Sequence, residues 1–510
     1  MTTVSSPGKV LVAGGYLVLD PAYSGVVVST SSRFYTTVRN IDEAELLARA
    51  HAARPIEIRV RSPQFLDATW SYIVTFDFDG VRIDQAAFNP SRNKFVHLAL
   101  QRTLSLALEV LSAGALQNSL SYGIDITIVG DNDFYSQRAQ LAACNLPPTL
   151  RSLAQLPPFS RTGVRLSDVH KTGLGSSAAL ITSLVASLLV HLNVIPRRAF
   201  APTEGDTECA QTGRRLAHNL SQYIHCLAQG KVGSGFDVSA AVFGSQIYTR
   251  FDPAVLQPLM SDDVPLNQPL AEVISPANSA WNYRVEPFRL PPQTRMMLAD
   301  VDAGSDTPSL VGKVLKWCKE DSARAGALWD ALDKLNQSLA QTFVRITQLH
   351  DSDPAAYTTA VKYLSTLQSL QWLANPMITE DDQKFIDEFS KAHTISLEIR
   401  EKMREMGTLS GVPIEPSEQT ELLDACIGLA GIIGGGVPGA GGYDAIWLLV
   451  LDPENCPPAE LPSGRVERAW AKWAKLDVSP LSATESIAMG VRLEDAAAVP
   501  GLQELVEAPW

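Results

Sequence analysis

Lys171, Gly173, Leu174, Gly175, Ser176, Ser177 and Ala178 stand together ahead of a long apolar run, and their types suit the binding of a phosphate. Two glycines let the chain turn tightly and aim consecutive N–H groups at one point. A helix that starts there adds unsatisfied donors and the positive end of its dipole, a combination that binds anions. Ser176 and Ser177 add hydroxyls able to reach a phosphate or a magnesium ion, and Lys171 adds a point charge. A plain turn into a helix is the simpler reading of the same string. Two nucleotide motifs fail on context. A dinucleotide fingerprint needs an apolar strand just before it and an acid further on, whereas 167–171 is a poor strand and the first acid after Gly175 is Glu204. The P-loop spacing is absent.

Three further segments bear on the same chemistry. Around Asp237, the run 233–241 is Gly-Ser-Gly-Phe-Asp-Val-Ser-Ala-Ala, which places a carboxylate among small residues that let a substrate approach. Such an acid either accepts a hydroxyl proton or caps a helix beginning at Val238. Lys9 opens an apolar strand after Pro7 and Gly8, where a buried ammonium needs an anionic partner. The glycine cluster 434–444, ending in Gly441, Gly442, Tyr443 and Asp444, runs straight into the strand-like 445–452. It therefore opens no helix, and its glycines read as close backbone approach to a ligand or to another loop.

The elements that must hold these residues follow from periodicity. Ile56, Ile58 and Val60, then Tyr72, Val74 and Phe76, then Ile124, Ile126 and Ile128 alternate as strands do. Pro147, Pro148, Pro157 and Pro158 mark an inserted loop. Leu180, Leu184, Leu188 and Leu192 predict a buried helix stopped near Pro196. The second half is more helical: Leu328, Leu332, Leu335, Leu339, Phe343 and Ile346 share one face, and another helix reads as capped by Thr379 and stopped by Gly407. Strand patterns return at 295–301 and 445–452. The fold class is α+β, with a sheet-rich lobe over 1–251, a Pro-rich crossover at 252–292 and a helix-rich lobe over 293–510.

Bulk properties narrow the function classes. A chain of 510 residues with 45% hydrophobic and 19% charged residues has ample material for a core. Its formal charge of −13 argues against nucleic-acid and membrane-surface binding, both of which use basic patches. The six cysteines form no C-x-x-C pair, so zinc ribbons are not expected and a reducing, cytoplasmic setting is. No apolar run is long enough for a membrane span. The sequence carries no signal of an oligomeric state.

Taken in order, the segments resemble the motifs of the GHMP kinases: Pro7-Gly8-Lys9 the first, 173–178 the second and 439–444 the third. Within that superfamily 13–20, 170–178, 233–241 and 437–444 are similar to the phosphomevalonate kinases of eukaryotic and fungal type. The resemblance implies a two-lobed GHMP kinase fold with its active site in the cleft, ATP and Mg²⁺ as cofactors, and phosphomevalonate as acceptor. It implies catalytic roles for Lys9 and Asp237, ATP binding by Lys171 and by Gly173 to Ala178, and magnesium on Asp237 with Ser176 or Ser177. The acceptor would meet Lys9, Tyr16, Ser305, Thr307, Gly441 and Gly442. Two departures stand out. Gly15 replaces the Glu of many relatives, and no acid lies between Glu208 and Asp237, where mevalonate kinases hold a metal carboxylate. Other readings are another GHMP kinase such as mevalonate kinase, or a silent nucleotide- and metabolite-binding sensor.

Overall fold

The alternating stretches form strands where expected. In this computed structural model, which describes residues 1–41, 55–77, 80–86, 92–201, 207–260, 269–301, 307–374 and 380–508, the first strands are β1 (Thr2–Ala13), β2 (Ser24–Asn40), β3 (Ile56–Arg61), β4 (Thr69–Asp77), β5 (Gly80–Gln85) and β6 (Ile124–Gly130). Then come β7 (Gln246–Thr249), β8 (Arg284–Pro287), β9 (Thr294–Val301), β10 (Ile432–Gly436), β11 (Ala445–Leu451), β12 (Val478–Leu481) and β13 (Arg492–Glu494). Among the described residues they build two sheets. The larger runs β13-β1-β2-β6-β3-β4-β5, with β7 on β2 and β8 on β7, and the smaller runs β10-β11-β9-β12. The segment 252–292 thus gives β8 to the larger sheet, and the far end of the chain returns to it through β13.

Helices α1 (Lys94–Val110), α2 (Ser176–His191) and α4 (Phe236–Phe243) pack against the larger sheet, and α3 (Glu208–Gln229) packs on those three helices. α2 is apolar on every side and is buried from Ala178 to Val190 except at Leu180, as expected of a helix enclosed by others. That burial fixes its N-terminus. The second half supplies α5 (Thr307–Glu320), α6 (Ser322–Ser352), α7 (Glu380–Ser410) and α8 (Ser417–Ile427). α6 lies along α7, and α7 lies along β10. Met296 and Leu298 of β9 face the main core while Met297, Ala299 and Val301 face a second cluster with α8. Burial of both faces is why 445–451 reads as an unbroken apolar run.

Two helix boundaries differ from the sequence reading. α7 passes through Gly407 and ends at Ser410, and the left-handed residue is Gly411 (φ +65°). Gly407 is small for another reason: a Cβ there would stand 2.7 Å from the Val412 carbonyl as the chain turns back. α4 begins at Phe236 rather than Val238, with Gly235 (φ +82°) as its cap. Thr379 lies outside the described residues. No helix among the described residues is long and apolar enough to cross a membrane.

Candidate active site

Lys9 is tied to the glycine loop through both backbone and side chain. Its N–H donates to the Leu174 carbonyl at 2.9 Å, and its Nζ donates to the Gly173 carbonyl at 2.8 Å. The pairing of β1 with β2 shifts register between Pro7 and Lys9, the sort of bulge that re-aims a side chain beside a site. Gly8 permits the contact, because a Cβ there would lie 2.9 Å from the Leu174 carbonyl. The Lys9 stem packs on Gly175, whose Cβ would meet Lys9 Cε at 3.0 Å. Burial lowers the pKa of this ammonium below that of a free lysine, and the nearby Asp237 carboxylate works in the opposite sense. A positive group held in poor solvation gains from an arriving anion.

The loop itself is built to leave donors free. Gly173 and Gly175 both have φ +79°, and Gly175 caps α2 without any side-chain hydrogen bond. The first N–H groups of α2 therefore stay available. A Cβ on Gly173 would meet nothing within 4 Å, so that glycine borders open space. The approach to the loop is fixed by a bridge between Tyr135 and Lys171 and by Thr172, whose hydroxyl donates to the Asp133 carbonyl. His170 reaches the other sheet: its Nε2 lies 3.2 Å from Oδ1 of the buried Asp300 on β9, which also pairs with Arg138. The glycine loop beside the larger sheet and the smaller sheet are thus joined through His170 and Asp300.

Asp237 sits in the first turn of α4. Its Oδ1 accepts from the Val238 N–H at 3.0 Å, and its Oδ2 lies 3.8 Å from Nε2 of His225 on α3. The loop before it is clamped by the buried Arg250, which donates to the carbonyls of Leu19, Val232 (2.9 Å) and Gly233 (2.5 Å). Tyr248 adds a hydrogen bond to the Ser234 carbonyl at 2.9 Å. Gly235 is demanded by crowding, since a Cβ would lie 2.8 Å from Gln222 Oε1 and 2.9 Å from the Tyr248 hydroxyl.

The third glycine cluster divides in two. Gly434 and Gly435 lie within β10, where Cβ atoms would collide with Ser396 of α7 and with Leu448 of β11. They serve packing. Gly439 and Gly441 (φ +66° and +76°) turn along the cleft, while Gly442 is buried and gives its N–H to the Ile414 carbonyl at 2.9 Å. Gly15 approaches this loop so closely that a Cβ would be 2.5 Å from the Gly439 carbonyl. A glutamate cannot be placed there without moving the loop, which accounts for the departure at this position.

These pieces surround a cavity of about 320 Å³ lined by Lys9, Tyr16, Gly173, Asp237, Gly439 and Gly441 among others. The structure therefore brings together Lys9, Asp237, Tyr16, Gly441 and the glycine loop. Tyr16 lines the cavity with its ring, but its hydroxyl is bonded to the Ala440 carbonyl at 2.6 Å, and burial raises its pKa. Lys171 is exposed at the start of the loop, and Gly442 is withdrawn behind Gly441. Ser305 lies outside the described residues; Thr307 opens α5, with its side chain undescribed. Sequence reading missed Gln222, His225 and Gln229, which line the cavity from α3, and Lys231 just beyond. Their spacing along an otherwise buried helix was the available signal.

Among the described residues there is no group of three or more His, Cys, Asp or Glu side chains fit to hold a metal. The described residues lining the cavity include two carboxylates, Asp237 and Asp444, and the start of α2 adds two hydroxyls, Ser176 and Ser177. That sparse set suits magnesium, which keeps several waters and leans on substrate phosphates.

No family model matches the chain. Sequence relatives do. "Phosphomevalonate kinase, peroxisomal" of Arabidopsis thaliana is 37% identical over 462 residues, covering 88% of this chain and 89% of its own. "Phosphomevalonate kinase erg8" of Aspergillus fumigatus is 38% identical over 479 residues, with 89% and 87% covered. The Candida albicans phosphomevalonate kinase is 32% identical over 455 residues, with 88% and 89% covered. Among solved structures, a Lin0012 protein from Listeria innocua matches with TM-score 0.58 and 16% identity over 97% of this chain and 99% of that one. Streptococcus pneumoniae phosphomevalonate kinase in complex with phosphomevalonate and AMPPNP matches with TM-score 0.54 and 15% identity, over 95% and 100%. At such identities the two structures speak for the fold.

Proposed function

The chain belongs to the phosphomevalonate kinase family, and from that premise we propose which of its residues carry the reaction. The activity is transfer of the terminal phosphoryl group of ATP to the phosphate of phosphomevalonate, giving ADP and diphosphomevalonate. The observation that carries the residue assignment is the double tether of Lys9, by N–H and Nζ, to the loop at 173–178.

The acceptor is a phosphate oxygen, already ionised at neutral pH, so no side chain has to remove a proton from it. The difficulty is bringing two anions together. Lys9 meets it by placing an under-solvated ammonium between the loop and Asp237, where it offsets charge on the transferring group. The free N–H groups of α2 and of the loop hold the nucleotide phosphates, and the loop shape excludes side chains from that space. Asp237 keeps Lys9 protonated and oriented, and shares with Ser176 or Ser177 the task of holding magnesium. Magnesium held there would neutralise part of the charge on the nucleotide phosphates. Tyr16 ties the first motif to the third glycine loop and forms part of the acceptor's wall; Gly441 forms another part. Ser305 and Thr307 stay assigned to the acceptor on sequence grounds, and Gly442 supports Gly441 from behind.

We assign the larger sheet, drawn mostly from 1–251, as the nucleotide lobe and the segment after 293 as the acceptor lobe. The six cysteines are all free, which supports a cytosolic setting; a fluorescent fusion showing an organelle pattern would overturn that placement. The test of function is ADP release with Mg-ATP against phosphomevalonate, mevalonate, diphosphomevalonate, galactose and homoserine. Turnover on phosphomevalonate alone is expected. Turnover on mevalonate with none on phosphomevalonate would replace the reading by mevalonate kinase.

A further inference from the structure

A buried ion pair behind the third glycine loop has no part in the reaction as derived. Arg400 of α7 and Glu415, in the turn between α7 and α8, are both buried. Arg400 donates through Nη2 and Nε to the two oxygens of Glu415, at 2.7 and 3.1 Å. Arg404 Nη1 (2.9 Å) and the Thr420 hydroxyl (3.0 Å) donate to the same carboxylate, and Arg400 Nη1 reaches Asp424 at 2.8 Å. Stability alone does not account for charge at this depth, because apolar side chains of like volume often serve a core as well or better. A forked arginine–carboxylate contact supplies something else: it fixes distance and angle together.

What it fixes is the turn on which the glycine loop rests. The Ile414 carbonyl accepts from the Gly442 N–H at 2.9 Å, and Gln419, wholly buried on α8, donates through Nε2 to the Tyr443 carbonyl at 2.7 Å. The approach is so close that a Cβ on Gly441 would stand 2.1 Å from the Ile414 oxygen. On its other side the loop presents Gly439, Ala440 and Gly441 to the cavity. α7 also meets the first motif, where a Cβ on Gly15 would lie 2.9 Å from Met403 Cε. One helix thus backs both segments that the Tyr16 hydroxyl ties together, and none of its described side chains lines the cavity.

We propose that Arg400 and Glu415 are positioning residues for the acceptor: through Ile414 and Gln419 they set where the loop 439–443 stands against Tyr16, and so place the acceptor's wall without touching the acceptor. The inference rests on the reading of Tyr16 and Gly441 as part of that wall.

Steady-state kinetics on phosphomevalonate and calorimetry with AMPPNP, both on full-length protein, test it. Gln419→Met cuts the bond to the Tyr443 carbonyl and leaves the ion pair in place. It should raise the phosphomevalonate KM by about 10-fold, the scale of one hydrogen bond. The Arg400→Met/Glu415→Leu double replaces the pair by apolar side chains; Arg404 and Asp424, which lose a partner, are exposed enough to turn to water. It should lower kcat/KM for phosphomevalonate by about 10- to 100-fold, as a misplaced substrate does. Glu415→Gln, which keeps the shape and an oxygen for Arg400, should lose less than the double. AMPPNP affinity should match wild type in all three. A wild-type KM for phosphomevalonate in every variant that folds would overturn the proposal and leave the acceptor wall as assigned. Weakened AMPPNP binding with the phosphomevalonate KM unmoved would overturn that assignment as well. If melting shows the double unfolded, Gln419→Met and Glu415→Gln decide the matter by the same criteria.

Discussion

The glycine runs at 173–175 and at 434–436 read much alike in the sequence and do opposite things in the structure. The first borders empty space at Gly173 and the Lys9 stem at Gly175: both glycines take left-handed backbone, and α2 begins there with no capping side chain on its first N–H groups. The second is inside β10, with its backbone in a ladder to β11 and helix α7 pressed against it. Gly173 leaves open space, whereas Gly434 and Gly435 leave room for neighbouring side chains. What decides a glycine's role is therefore what its missing Cβ would have met.

That difference can be broken most severely at Lys9, the residue proposed to make the open space a phosphate site. Lys9→Ala should lower kcat by about 10²–10³, the scale of losing one preorganised charge-stabilising donor, with the melting temperature nearly unchanged. A turnover within a few-fold of wild type would remove Lys9 from the chemistry. Gly434→Val should instead act on stability. The added side chain meets Ser396, and overpacking of this kind costs about 1–3 kcal/mol, read as a lower melting temperature with unaltered AMPPNP affinity in the folded fraction. Gly173→Ala should act on binding as well as on stability. Space is free there but φ is +79°, a conformation costing an alanine about 1–2 kcal/mol. Weakened AMPPNP binding in the folded fraction is expected, with a fall in melting temperature no larger than that of Gly434→Val.

Smaller effects sharpen the boundary between the two runs. Tyr16→Phe removes the bond to the Ala440 carbonyl, worth about 1 kcal/mol, and should raise the acceptor KM while sparing nucleotide binding. The pH profile of kcat/KM should also report on Lys9. Its pKa is lowered by burial from the ordinary 10.5, so the required ammonium is lost as pH rises, beginning below the range of a free lysine. In Lys9→Arg the alkaline limb should move up, whatever the residual rate.

Much of this was legible in the sequence, and the reasons are physical. The strands at 56–61, 69–77 and 124–130 and the buried helix after Ser177 follow from periodicity alone, because burial on one face or on all faces leaves a pattern in the residues. Lys9, Asp237 and the loop at 173–178, which meet around one cavity, stood out because small residues and charges beside apolar runs are chemically costly without a purpose. The tether of Lys9 to Gly173 was not legible, since it joins segments far apart in the chain. Neither was the division of the third glycine cluster, which depends on where α7 lies. His225 escaped because an acid was sought on α3 and an imidazole stood in its place. Gly407 misled because a packing glycine inside a helix looks like a stop.

The most direct test is amide hydrogen exchange at 173–179 and at 434–436, measured with and without Mg-AMPPNP. The N–H groups of 173–178, which have no backbone partner among the described residues, should gain protection, while Ala179, already bonded to the Gly175 carbonyl, and β10, already paired with β11, should not change. Protection gained in β10 with none at 173–179 would contradict the account and move the nucleotide site to the other glycine run.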